Sequence, residues 1–519
     1  MRLGTLDIRF EAIPGAVRAW RAHVDPSLWR TACLQVAAGG GRLVALWASD
    51  SANDARARFA VHAALVIQPG LIVITLPLAG AAQFPDVSDV FPVASRMQRA
   101  VYDLFGLRAS VPADARKWLR HAAWRDGEFP LRKDFPAHGS PVSGVAPAVD
   151  DYPFIPVAGD GVHEIPVGPV HAGTIEPGHF RFSVIGERVL RLEARLGYTH
   201  KGVEKRFEQM DVVQGAKLAG RISCDSTVAY AWAYAMAVES ALGVVPSRRA
   251  LLLRALFLER ERIANHLGDL GFLGSDAGLA FGLSQFSRLK EDVLRLSHSL
   301  FGHRYLMDAI QPGGVASDLA AEGETRILTE CAALESALRV LRAIYDEHPG
   351  LQDRFIACGR VAPELAARLG LIGCAGRASA QSWDLRVQFP CAPYDELDVQ
   401  MSTHRNGDVA ARVSVRFDEV IESLRLVRSI LGRLPEGAAI VPVPVASETA
   451  AGVGWVEGWR GEVFMAIAVG PQNRIERLHP HDPSWQNWPV VEHAALGNIV
   501  PDFPLINKSF NLSYSGHDL

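Results

Sequence analysis

Apolar positions change period along the 519 residues, and the change divides the chain. Near the N-terminus they come in short runs, Thr31 to Ala37, Leu43 to Ala48, Phe59 to Ile67 and Leu71 to Leu78, which predict strands. Ser95 to Phe105 instead repeats at helical spacing through Met97, Val101, Leu104 and Phe105. Residues 137 to 160 lose periodicity and are dominated by Pro, Gly, Ser, Ala and Val, which predicts a linker with a boundary near residue 150. Beyond it the 3.6-residue period prevails. A charged, helix-like run (Gly197 to Lys217) precedes an apolar one (Thr227 to Leu242). Ser247 to Gly271 then places Leu253, Leu256, Phe257, Arg260, Ile263 and Leu267 on one stripe. Gln285 to Met307, Glu322 to Asp346 and Arg416 to Leu434 continue the pattern, the last carrying Glu419, Glu422 and Ser423, with a turn at Gln311-Pro-Gly-Gly-Val315. The expected fold is α+β: an α/β domain over residues 1–136, a linker over 137–160, and a large domain over 161–519 with a long-helix bundle and small sheets at its start and near its end.

Composition narrows the function. Mixed charges summing to -4 give no electrostatic case for nucleic acid or an anionic membrane. Six cysteines are scattered without a Cys-x-x-Cys, so reduced thiols of a cytoplasmic protein are expected, with no zinc or cluster site of the usual spacing. Met1 to Asp7 lacks the basic and apolar segments of a signal peptide. Ala63 to Ala82 approaches the length of a membrane span, but Pro69, Gly70, Pro77 and Gly80 interrupt it and two strands around a turn are expected. Any membrane association therefore comes through partners. No Gly-x-Gly-x-x-Gly follows a strand, so no dinucleotide site is written here. Neither internal repeats nor low-complexity tracts occur.

The chemistry centres on Arg221-Ile-Ser-Cys-Asp-Ser226, read from its residues as a polar turn opening a buried helix that Asp225, Ser226 or Thr227 can cap. Upstream stand Gly168-Pro-Val-His171, Glu176-Pro-Gly-His-Phe-Arg181 and Gly197-Tyr-Thr-His-Lys-Gly-Val-Glu-Lys205. Downstream come Gly376-Arg-Ala-Ser-Ala380, Trp383-Asp-Leu-Arg386, Pro393-Tyr394, Gly407-Asp408, Glu457-Gly-Trp-Arg-Gly461 and the tail Ser509-Phe-Asn-Leu-Ser-Tyr-Ser-Gly-His-Asp518. In this order they resemble the large subunit of membrane-bound, energy-converting nickel-iron hydrogenases of the formate hydrogenlyase type, and its relative, the quinone-site subunit of respiratory complex I (NADH-quinone oxidoreductase). Val101-Tyr-Asp-Leu-Phe-Gly-Leu107, Trp124 and Phe129-Pro-Leu-Arg-Lys-Asp-Phe-Pro136 resemble the small peripheral-arm subunit of complex I, fused ahead of the large one.

The resemblance also marks departures. The hydrogenase pattern Arg-x-Cys-x-x-Cys places two thiolates where Ser223 and Ser226 stand, and Cys224 falls between them on a non-ligand position. The C-terminal Asp-Pro-Cys-x-x-Cys is matched by Asn511, Leu512, Ser513 and Gly516. With all four thiolate positions lost, no nickel-iron centre and no hydrogen turnover are expected. The quinone-gripping histidine and tyrosine of complex I fall near Pro177 and on Cys224, leaving His171 or His179 as substitutes or as structural histidines. Glu204 matches the proton-carrying position of the hydrogenases and Arg460 the arginine over the metals, with Asp384 and Arg386 a further charged pair. These four residues read equally as a proton path or as buried ion pairs. The resemblance implies no cofactor in this chain, iron-sulfur clusters in a small partner subunit, and antiporter-like membrane partners that translocate protons or other ions. It places the chain on the inner face of the cytoplasmic membrane. Two readings follow: a redox-coupled subunit of such a complex, or a scaffold retaining the fold of a lost hydrogenase.

Overall fold

In the computed structural model, which describes residues 6–51, 57–80, 82–121, 124–139, 152–171 and 175–519, the N-terminal part is built on one mixed sheet. Strands β1 (Glu11–Ile13), β2 (Ala19–His23), β3 (Arg42–Asp50), β4 (Phe59–Ile67) and β5 (Gly70–Leu78) lie in the order β1-β2-β5-β4-β3. β2 and β5 run parallel, whereas β4 and β5 pair antiparallel from end to end, so the apolar stretch after Ala63 is a hairpin. Helices α1 (Pro26–Ala38) and α2 (Ala94–Phe105) cover one face, where Trp29, Val36, Met97 and Val101 join Leu46, Leu65 and Ile72 in the core.

One expected strand is a helix. Thr31 to Ala37 lies inside α1, because Asp25 accepts the amides of Ser27 and Leu28 at 2.9 and 3.0 Å and Pro26 takes the first helical position. Its buried residues, Trp29, Ala32, Cys33 and Val36, then share one helical face.

The large part opens with an antiparallel sheet of β6 (Val162–Val167), β7 (His179–Ile185) and β8 (Arg188–Arg195). The charged run that follows is two short helices, α3 (Val203–Phe207) and α4 (Val212–Ala219), since Asp211 and Gln214 form a capping box that restarts the helix. The bundle consists of α5 (Thr227–Leu242), α6 (Arg248–Asp276), α7 (Ala280–Phe301) and α8 (Ala321–Glu347). Gly302, left-handed at φ 82°, ends α7 short of the predicted Met307. Short helices α9 (Gly373–Ala378) and α10 (Leu385–Gln388) lead to α11 (Val409–Leu431). That helix begins ahead of the predicted Arg416 because Asp408 accepts the Ala411 amide at 2.9 Å. The chain closes with an antiparallel sheet of β9 (Ala450–Glu457), β10 (Glu462–Val469) and β11 (Ile475–His481), then α12 (Ser484–Ala494), α13 (Phe503–Phe510) and α14 (Tyr514–Asp518).

Two contacts position the site. Alanine-rich α5 lies directly on β9, where a Cβ on Gly454 would stand 1.9 Å from the Ala233 carbonyl and one on Gly452 2.2 Å from that of Ala237. The free face of the N-terminal sheet packs Ala45, Trp47, Val66 and Val73 against Leu385, Val453, Trp455 and Phe464. Polar ties flank that seam: Arg42 pairs with Glu462, and Gln486 Nε2 donates to the Val44 carbonyl at 2.6 Å. Among the described residues, no helix is long and apolar enough to cross a membrane.

Candidate functional site

Folding brings together positions that lie 290 residues apart. Ser223, extended just ahead of α5, and Ser513, at the start of α14, share a hydroxyl-hydroxyl hydrogen bond of 2.8 Å. Ser223 Oγ also donates to Asp225 at 3.0 Å, and Ser513 Oγ accepts the Gly516 amide at 2.8 Å. Ser226 Oγ accepts from Arg460 Nη1 at 3.1 Å. Arg460 in turn clamps Asp225 with both terminal nitrogens, donates through Nε to the Asn511 carbonyl at 2.5 Å, and stacks 4.0 Å over Trp459. Burial works against its charge, but Asp225 outweighs burial and raises the Arg460 pKa. A Cβ on Gly516 would lie 2.4 Å from Asp482 Oδ2 and 2.9 Å from Ser513 Oγ. The Asp482 carboxylate is fixed there by the Tyr230 hydroxyl at 2.5 Å and the Ser484 amide at 2.7 Å. Cys224 is exposed beside this cluster.

The turn is not capped as its residues suggest. Asp225 serves Ser223 and Arg460, and the first amides of α5, those of Val228 and Ala229, are bound by Glu261 from α6 at 2.7 and 3.2 Å. Burial pushes this carboxyl up to about 8. A cap supplied from another helix leaves no local signature in sequence.

Both loop histidines bond across their own loop. His171 Nε2 binds the Gly178 carbonyl at 2.8 Å, and His179 Nδ1 binds that of Gly168 at 3.1 Å. The loop reaches the serine cluster through Glu176, which accepts the Ser515 amide at 3.0 Å.

The four charged candidates fall into three separate sets. Arg460 belongs to the serine cluster, Asp384 and Arg386 pair with each other at 2.7 Å elsewhere, and Glu204 lies apart from both, beside β11. Glu204 meets Arg477 at 2.7 Å and His479 Nδ1 at 2.9 Å, partners absent from the sequence expectation. The segment Leu478-His-Pro-His-Asp482, dense in titratable residues, is the signal that points to His479 and Asp482. A small cavity of about 30 Å³, enough to admit water, borders Glu204, Arg477, His479 and His481.

Burial opposes the Glu204 charge, yet Arg477 and His479 outweigh it and hold the carboxyl at about 2. A lowered folded-state value contributes stability above about pH 4.5, the ordinary value, and that stability is lost as pH falls towards 2. Glu204→Gln is therefore expected to melt well below the parent at neutral pH, with the gap narrowing as acid is added. Thermal melts over a pH series check this, and a gap constant into strong acid would contradict the pairing.

Comparison with known proteins bears directly on this architecture. Residues 22–141 match the family described as "Respiratory-chain NADH dehydrogenase, 30 Kd subunit", and residues 276–453 match "Respiratory-chain NADH dehydrogenase, 49 Kd subunit". Hydrogenase-4 component G of Escherichia coli (strain K12) is 31% identical over 477 residues, covering 90% of this chain and 82% of that protein. The chain belongs to the family of fused complex I-type 30 Kd and 49 Kd subunits. Formate hydrogenlyase subunit 5 of the same organism is 29% identical over 92% of this chain and 85% of its own length. The NADH-quinone oxidoreductase C/D subunit of Phocaeicola vulgatus is 30% identical over 73% of this chain and 76% of its own. This fused family therefore spans proteins named for hydrogenase and for NADH-quinone oxidoreductase, and the described fold, a sheet-based N-terminal part and a helix-rich large part, agrees with it.

Proposed function

We propose that this chain is the hydrogenase-like large component of a membrane-associated oxidoreductase complex and that it does not itself turn over hydrogen at a nickel-iron centre. The donor set carries the reading. Where the resemblance asks for four thiolates, the chain offers three serine hydroxyls, hard donors that stay protonated near neutral pH, and a glycine with no donor. Two of those hydroxyls are bonded to each other, and the Asp482 carboxylate stands where a side chain on Gly516 would begin. These residues do not fit a nickel-iron centre. Relatives named as subunits support a place in a multi-subunit complex; the partners we propose in it are those the resemblance implies, a small iron-sulfur protein that holds the redox clusters and antiporter-like membrane proteins, with this chain peripheral on the membrane through them.

A second reading, a non-catalytic scaffold, draws on the loop histidines. His171 and His179 each hold a backbone carbonyl, and Cys224 stands where a quinone-binding tyrosine is expected, so a quinone headgroup finds none of the expected donors.

The test is affinity purification of the tagged chain from gently solubilised native membranes, with mass spectrometry of its companions, nickel analysis and a hydrogen-uptake assay. The expected result is recovery of an iron-sulfur protein and antiporter-like proteins with the chain, without stoichiometric nickel. Recovery of the chain alone would favour the scaffold. Stoichiometric nickel with hydrogen turnover would overturn both readings.

A further inference from the structure

Away from the serine cluster, the large domain encloses a second group of charges. Arg377 on α9 donates through Nε to Glu419 on α11 at 2.8 Å and through Nη1 to Glu457 on β9 at 2.9 Å, and stands 3.6 Å from Asp384. Arg386 on α10 clamps Asp384 at 3.0 and 2.7 Å and reaches Glu259 on α6 at 3.1 Å. Arg262, also on α6, pairs with Glu259 at 3.3 Å and lies 3.9 Å from Glu419. Each of the seven is at most 5% exposed, so no bulk water balances their charge.

The charges do not sum to zero. Four carboxylates, those of Glu259, Asp384, Glu419 and Glu457, face three guanidiniums. The adjoining pairs are each balanced within themselves, Glu462 on β10 with Arg42, and Asp269 on α6 with Arg416 on α11. Among the described residues, His266 on α6 is the remaining basic group in contact with the cluster. Its Nε2 binds Glu419 at 2.8 Å, but its Nδ1 is buried without a protein partner, so charging the ring would strand an N–H. The excess negative charge is then relieved by a proton on one carboxyl.

Hydrogen bonding selects which one. Glu259 accepts from Arg262, Arg386, the Tyr394 hydroxyl and the Ser423 hydroxyl. Asp384 accepts two guanidinium N–H groups and the Arg386 amide, and Glu419 accepts from Arg377 and His266. Glu457 meets a single basic group, Arg377 at 2.9 Å, beside the Leu385 amide at 3.2 Å, whereas each of the other three carboxylates meets two or more. Positive neighbours favour the ionised form, so the carboxyl with the fewest keeps the proton.

We propose that this buried cluster binds one exchangeable proton at neutral pH and that Glu457 carries it. Burial and then the charge of Asp384 push this carboxyl up to about 7, in keeping with that assignment. The proposal stands apart from the functional reading above, since it depends on neither metal nor partner. It gives the large domain a proton-loading site built by α6, α9, α10, α11 and β9.

Infrared titration of the whole chain tests it. A carbonyl band of a protonated carboxylic acid is expected below pH 7, fading through a midpoint near 7, and its loss in Glu457→Gln identifies it. Glu261 contributes a separate band, identified by Glu261→Gln. Asp384→Asn leaves three carboxylates for three guanidiniums, so Glu457 is expected to ionise and its band to vanish at neutral pH although Glu457 is untouched. With the Glu261 band removed by Glu261→Gln, a band titrating near 7 that survives Glu457→Gln would overturn the assignment. An unchanged midpoint in Asp384→Asn would overturn the charge count, and it decides the matter even where Glu457→Gln does not fold.

Discussion

Replacing Arg377 with methionine is expected to destabilise the protein by about 3–5 kcal/mol, the range for removing one partner from a buried charge group. The guanidinium is 1% exposed and is bonded to Glu419 and Glu457, with Asp384 close by, so its loss leaves four buried carboxyl groups, three of them ionised when Glu457 is protonated, with two arginines. It also joins four elements, since from α9 it meets Glu419 on α11, Glu457 on β9 and Asp384 at the start of α10. Chemical denaturation followed by circular dichroism measures the effect. The exposed pair Arg288–Asp292 supplies the contrast, because with side chains 57% and 55% accessible its removal should cost below about 1 kcal/mol. A loss of similar size at Arg377 would mean that water reaches the cluster.

Gly454→Ala is expected to cost about 3 kcal/mol, at the upper end for overpacking a core. The added methyl would sit 1.9 Å from the Ala233 carbonyl, a backbone atom that cannot rotate away, so α5 as a whole must lift off β9. Since α5 carries Tyr230, whose hydroxyl fixes Asp482, the damage should extend to the serine cluster. Thermal melts with hydrogen exchange at the α5 amides check both effects. A variant that melts like the parent would show that α5 and β9 are looser than their spacing implies. Gly437, with open space around its Cβ position, is not a useful control, because its φ of 144° strains any side chain.

What can be read in advance follows from how local each cause is. β4 coincides with its apolar run, and the hairpin after Ala63 is legible from its prolines and glycines. Thr31 to Ala37 misleads because Asp25 and Pro26, just outside the run, decide its conformation. The serine positions are legible through resemblance, and they do meet. Asp482 beside the serines, and Arg477 and His479 beside Glu204, arrive from a strand and turn far along the chain, where the titratable run Leu478 to Asp482 is a signal but only tertiary contact says what each residue meets. The charge imbalance is hidden for the same reason. Glu457, Arg386 and Glu419 all stand in segments that the sequence singles out, but nothing in their spacing says that they share one enclosure.

The N-terminal sheet, apolar on both faces, has a consequence for how this chain can be divided. One face needs α1 and α2, and the other needs Leu385, Val453, Trp455 and Phe464. The two matched families are described as separate subunits, and here a peptide connection makes their union intramolecular. Once assembled, the seam holds through its own apolar area and its Arg42 and Gln486 ties, so a protease that nicks the connecting peptide should leave two fragments that migrate as one particle. The tether thus governs how readily the halves find each other, while the seam governs whether they stay.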